Sequence, residues 1–180
     1  GSGGGSGGQI LGNSLSSTTS TSSTSYVTAL SQAITPDATA NKILVQGSIN
    51  VRVEVDQMAY QDGQVDAQLY RDSTALGLVR TIKATDQNGY YDDDGTLSWS
   101  YLDSPNTTSQ VTYYIKYKAV DTDSQGSVGT VYLNAGEITV QETDGAKGPT
   151  GNTGGTGNTG ATGAAGPEVV FKATHGSTTY

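Results

Sequence analysis

Ile43, Val45, Gly47, Ile49, Val51, Val53 and Val55 alternate with Leu44, Gln46, Ser48, Asn50, Arg52 and Glu54. Successive side chains of a strand point to opposite faces, so this period of two predicts a long strand with one buried side. The alternation returns in Val65, Ala67 and Leu69, in Leu97, Trp99 and Tyr101, and in Val111, Tyr113, Ile115, Tyr117 and Ala119. Residues 128–134 and 137–141 predict two further strands. The segments QDGQ, DQNG, DDDG, DSPNTT and DTDSQG are rich in residues that favour turns, and they punctuate the runs. No window long enough for a helix carries a helical stripe. Roughly eight strands with such punctuation predict an all-β body, a β-sandwich or jelly roll.

The pattern changes twice outside this body. Residues 13–25 hold the tract SLSSTTSTSSTS, which is poor at filling a helix and extends only where a partner strand receives it. From Gly145 a three-residue phase takes over, GAK-GPT-GNT-GGT-GNT-GAT-GAA-GPE, with Gly145, Gly148, Gly151, Gly154, Gly157, Gly160, Gly163 and Gly166 each opening a triplet. Only glycine fits at the crowded axis of three wound polyproline-type chains, so the unbroken phase predicts a collagen-like triple helix rather than a loose linker. At about 3 Å per residue it would make a rod of roughly 70 Å. Pro149 and Pro167 are its only prolines, so the rod depends on flanking domains to hold three chains together. The expected organisation is a Gly-rich flexible head (1–12), a Ser/Thr-rich extended segment (13–25), the sandwich (26–144), the repeat (145–168) and a tail strand (169–180).

Composition narrows the function. The 180 residues contain 25 glycines, no cysteine and one histidine. Without cysteine there is no disulfide frame, thiolate metal site or cysteine nucleophile. The formal charge is −8, and the few Lys and Arg are scattered, which argues against nucleic acid as a partner. No apolar run reaches the length of a membrane helix, and no signal-peptide pattern opens the chain. The first residue is glycine rather than methionine, which reads as a chain processed, truncated or fused; GSGGGSGG reads equally as an expression linker, and the head is given no weight in the fold.

Each candidate site has a plainer reading beside it. The single histidine, His175, lies in the tail, so no Ser-His-Asp arrangement can form without it; it reads as a solvated tail or strand residue, with a metal site from three copies around a trimer axis as the alternative. Asp92-Asp93-Asp94-Gly95 and Asp121-Thr122-Asp123-Ser124-Gln125-Gly126 offer oxygen ligands without the spacing of a calcium loop, and both read as tight turns. No pair of carboxylates is singled out for glycoside cleavage. No cofactor is expected, and no catalytic or metal residue is assigned. Among eleven tyrosines, Tyr90 and Tyr91 read as loop residues able to stack on a glycan, while Tyr114, out of phase with Tyr113 and Ile115, reads as a trimer contact or a cross-strand partner. Thr150, Thr153, Thr156, Thr159 and Thr162 recur at the outward third position of their triplets, a pattern suited to O-linked sugar or to polar filling. Asn106-Thr107-Thr108 matches an N-glycosylation acceptor.

The stretches TSYVTALSQAITPDATANKILV, QLYRDSTALG, SYLDSPNTTSQVTYYIKYKA and GTVYLNAGEITVQE resemble a β-rich domain that recurs in fibre and tail-associated structural proteins of tailed bacteriophages. The resemblance covers residues 20–142, and its most specific pieces are Ala33-Ile34-Thr35-Pro36, Arg71-Asp72-Ser73-Thr74-Ala75 and Leu102-Asp103-Ser104-Pro105-Asn106-Thr107-Thr108. It implies a virion fibre component, for which collagen-like repeats are common neighbours; it covers neither a virion-anchoring domain nor a complete C-terminal knob. The prolines also read physically, as ends of strands, because proline cannot donate to a ladder. The expected function is a non-enzymatic, homotrimeric fibre protein at a virion surface, directed toward a cell-surface glycan. The alternative is a bacterial extracellular or pilus-like filament whose Ser/Thr segment or tail strand pairs with a neighbouring body.

Overall fold

The computed structural model describes residues 8–55, 62–85, 92–122 and 129–144, with the single residues Gly160 and Gly163. Nine strands occupy the described residues: β1 (Ile10–Ser14), β2 (Thr19–Thr21), β3 (Val27–Ile34), β4 (Lys42–Glu54), β5 (Asp62–Arg71), β6 (Thr74–Thr85), β7 (Asp92–Asp103), β8 (Val111–Asp121) and β9 (Thr130–Thr143). They form two antiparallel sheets, one ordered β1-β9-β4-β7 with β2 also on β9, the other ordered β3-β8-β5-β6. The pairs nest within one another along the chain: β5 with β6, then β4 with β7, β3 with β8, and β1 and β2 with β9. A long hairpin rolled onto itself produces this order, and it is the jelly roll.

The inward residues of both sheets make the core. On β4 they are Ile43, Val45, Ile49, Val51 and Val53; across the sandwich stand Val65, Ala67 and Leu69 of β5 and Tyr113, Ile115, Tyr117 and Ala119 of β8. Gly47 belongs to the inward series because a side chain does not fit there: a Cβ would stand 2.7 Å from Ile115 Cδ1 and 3.1 Å from the Glu137 carbonyl oxygen. Its cross-strand neighbour is Trp99, which is buried in the same core.

Three local expectations change. Residues 128–134 and 137–141, expected as two strands, are parts of the single strand β9. Val131 and Leu133 point inward on odd positions, Ile138 and Val140 on even ones. The parity changes because Val51 pairs with Leu133 while Asn50 pairs with Ala135, which leaves Asn134 as the extra residue of a β-bulge. Asp92-Asp93-Asp94-Gly95, expected as a turn, is the first part of β7, since the thirteen residues of β4 offer backbone partners from Ile43 to Glu54 along its whole length. Likewise Asp62, Gly63 and Gln64 of QDGQ lie in β5. Strand β6, which the alternation does not reveal, is the edge partner of β5 and bulges at residues 77–79, with Gly77 at φ +66°.

The Ser/Thr tract meets its partner within its own chain. β1 and β2 both pair with β9 and are separated opposite its bulge, where the Leu15 amide donates to the Gly136 carbonyl at 2.9 Å. The sheet therefore reaches back to Ile10.

Candidate surface site

Among the described residues two carboxylates, Asp103 and Glu142, are buried, and both pin the fold. Asp103, at the end of β7, accepts from Arg71 Nη1 and from the Tyr113 hydroxyl, each at 2.7 Å to its Oδ2. These bonds join one sheet to β5 and β8 of the other, and they bring together Arg71-Asp72-Ser73 and Leu102-Asp103-Ser104, two of the segments that carry the fibre resemblance. Burial, and then the bond to Asp103, push the Tyr113 phenol far above its ordinary range, against the opposing pull of Arg71. Beside them Asp72, at φ 50°, turns the β5–β6 hairpin and accepts from the Thr112 amide. Glu142 accepts from the Asp37 amide at 2.7 Å and Asn41 Nδ2 at 2.8 Å, and Gln9 Nε2 lies 3.2 Å from its other oxygen. It ties the loop after β3 and the residue before β1 to the last strand.

The outward residues of β5 and β8 build a different surface. Tyr70 and Tyr114 stand directly opposite each other. Tyr26, just before β3, meets Tyr70 edge-on, with ring centroids 5.7 Å apart and planes at 65°. Lys116 Nζ lies 4.6 Å from the Tyr70 centroid and 5.0 Å from that of Tyr114, and Lys118 Nζ lies 5.0 Å from that of Tyr26. All five side chains are half-buried. Asp66 lies within the same surface, accepting from Gln64 Nε2 at 2.7 Å and Thr81 Oγ1 at 3.0 Å. Burial raises the Tyr26 phenol, with smaller pushes from Asp66 and Tyr70, so its hydroxyl keeps its proton. Ring faces, phenol hydroxyls and ammonium groups together suit a flat ligand that has apolar C–H faces and polar edges.

Tyr114 thus packs across strands, one of the two roles expected of it. Tyr70 carried the same signal, being out of phase with Leu69, whereas nothing in the alternation points to Tyr26, which precedes its strand. Tyr90 and Tyr91 lie outside the described residues, as do His175, Thr150, Thr153, Thr156, Thr159, Thr162 and the glycines Gly145, Gly148, Gly151, Gly154, Gly157 and Gly166. Gly160 and Gly163 are exposed. Asn106 is exposed in the β7–β8 loop at φ 53°, and its Nδ2 donates to the Ser104 carbonyl at 3.0 Å. Asp92 and Asp94 project from one face of β7 and Asp93 from the other, with Arg52 bonded to Asp92. Among the described residues, no three His, Asp or Glu side chains converge as a metal ion would require.

No family model matches the chain, and no curated protein matches it. Among solved structures it is similar to the infectious bursal disease virus VP2 subviral particle, at a TM-score of 0.49 and 13% identity over 74% of this chain and 32% of that one. It is also similar to the structure of infectious bursal disease virus Gx strain, at 0.49 and 13% over 80% and 34%. The chain spans about a third of the length of these proteins.

Proposed function

We propose that this chain is a non-enzymatic structural protein of a phage virion fibre, in which three jelly-roll bodies are joined by a collagen-like rod and directed at a cell-surface glycan. The observation that carries the reading is the unbroken phase in which glycine opens all eight triplets from Gly145 to Gly166. At Gly160 and Gly163, the two repeat glycines among the described residues, the backbone lacks the positive φ that would itself call for glycine. Three chains wound around one axis give glycine a steric reason at every triplet. The resemblance of residues 20–142 to phage fibre domains supports the virion setting.

The mechanism is geometric. A trimer carries three copies of the Tyr26, Tyr70 and Tyr114 surface, and weak contacts engaged together multiply in strength where their spacing matches the target. Glycan contact is thus proposed for this surface, beside the proposal for Tyr90 and Tyr91. Sugar on Asn106 or on the repeat threonines stands as a proposal of the same kind.

A second reading, the strand-exchange filament, has one observation in its favour. All five residues of β1 are exposed, and its ladder is to β9 alone, at the sheet edge. Such a strand can leave its own β9 for a neighbour's. The native mass in solution, measured by light scattering on the full chain and on Gly157→Ala, separates the two. The fibre reading expects a discrete trimer whose melting temperature falls by several degrees on substitution, about the loss from one glycine in a triple helix. Open-ended polymers indifferent to Gly157→Ala would overturn it.

A further inference from the structure

The outward face of the β1-β9-β4-β7 sheet is mostly polar, with Gln46, Ser48, Asn50, Arg52 and Glu54 on β4 and Thr96, Ser98 and Ser100 on β7. One row breaks that pattern. Ile10 pairs with Gln141, Gln141 with Leu44, and Leu44 with Leu102, so three large apolar side chains cross the sheet on one face. Ile10 is 63% exposed and Leu102 52%, while Leu44 between them is half-buried. Ile10 is held in place: the Gln9 carbonyl accepts from the Glu142 amide at 2.8 Å, and Gln9 Nε2 reaches the Thr35 carbonyl at 2.9 Å. Ile10 is separated from Leu44 by Gln141, while Leu44 and Leu102 adjoin; large apolar side chains aligned on an otherwise polar exposed face offer a contact surface for another protein.

The position of the row identifies that protein. Gln141 lies in it, β9 ends at Thr143, and the first repeat glycine is Gly145. Four residues reach at most about 14 Å. In the trimeric reading a triple helix winds three chains together, so a repeat that starts four residues past Gln141 keeps three copies of this body within reach of one another. The two most exposed members fall on opposite edge strands, β1 and β7. A head-to-tail contact that closes into a ring uses two such non-identical patches, the Ile10 side of one body against the Leu102 side of the next. On one side the adjoining row, Gly12, Thr139, Gln46 and Ser100, has no large apolar or charged side chain to hold a neighbour off; on the other, Thr143 pairs with Lys42, whose exposed ammonium borders the row.

We infer that the Ile10–Leu44–Leu102 row is the seam through which copies of this body pack against one another. The inference rests on the trimeric reading above. Its test uses the full chain and compares wild type, the double substitution Ile10→Ser with Leu102→Ser, and Leu78→Ser. Leu78 is 76% exposed on the β6 bulge, in the other sheet and outside the row, and serves as the control. Mass is followed by light scattering across a dilution series, and the fold by the near-ultraviolet signal of Trp99. The double variant is expected to dissociate at a concentration at least about tenfold higher than wild type while keeping the Trp99 signal, and Leu78→Ser to match wild type. Because the chain has no cysteine, Ile10→Cys with Leu102→Cys gives a second readout, disulfide-linked dimers and trimers on oxidation. A wild-type trimer that the double serine variant leaves equally stable, and that the cysteines do not link, would overturn the seam and leave the trimer standing. An equal loss in Leu78→Ser would overturn the seam as well. A wild type that never forms trimers would instead remove the trimeric reading itself.

Discussion

Tyr113 shows how a polar atom is accommodated in an otherwise apolar core. Its ring is fully buried, and its hydroxyl reaches the one carboxylate, Asp103, that also holds Arg71. The native state therefore holds the phenol proton more tightly than the unfolded chain, whose tyrosines titrate near pH 10. The sign follows from linkage: this contribution to stability is whole below about pH 10 and is lost as pH rises through that value toward the higher native pKa. Tyr117 adds to the same trend, raised by burial against a bond with Thr19. Tyr113→Phe is expected to cost about 1 kcal/mol at neutral pH, for one lost hydrogen bond, and to make the alkaline loss shallower. Urea unfolding at pH 7 and at a series of values above 9 checks both; an unchanged alkaline slope would show that Tyr113 does not govern it.

At the scale of elements, the bulge in β9 lets one strand serve the core along its whole length. Residues on either side of Asn134 have opposite parity, and without the extra residue one half would turn its apolar side chains to solvent. Gly136 beside it has no room to spare, since a Cβ there would meet Ile49 and Leu30 at 3.0 Å. Deleting Asn134 is therefore expected to abolish folding or to cost more than about 3 kcal/mol, whereas Asn134→Ala should change stability by less than about 1 kcal/mol. Circular dichroism melts of the two variants decide it, and equal melting temperatures would contradict the bulge as the reason for the parity change.

At the scale of the whole molecule, the two sheets turn different outer faces to solvent. One carries an apolar row among polar residues, the other the three tyrosines with Lys116 and Lys118. In the proposed trimer the first faces sister chains and the second stays open to a target. Tyr70→Ala with Tyr114→Ala is expected to lower retention on an immobilised polysaccharide panel by at least about tenfold, because three weakened contacts compound. Native mass should be unchanged. Undiminished retention would move glycan contact away from this surface.

The alternation alone identifies an all-β body, because a period of two has one structural meaning and the inward positions of β4, β5, β7 and β8 can be counted off directly. It also isolates the Gly-X-Y phase, which is a statement about sequence before it is one about shape. Tertiary structure decided what depends on partners distant in the chain. Whether Asp92-Asp93-Asp94 bends or extends depends on the length of β4, the parity change in β9 is a break or a bulge only once Asn50 and Val51 are paired, and the Ser/Thr tract becomes strand because β9 receives it. The tyrosine surface and the apolar row are likewise made by register, which sets Tyr70 opposite Tyr114 and Ile10, Leu44 and Leu102 in one line. Local pattern fixes which face a side chain takes; only the pairing of strands fixes its neighbours.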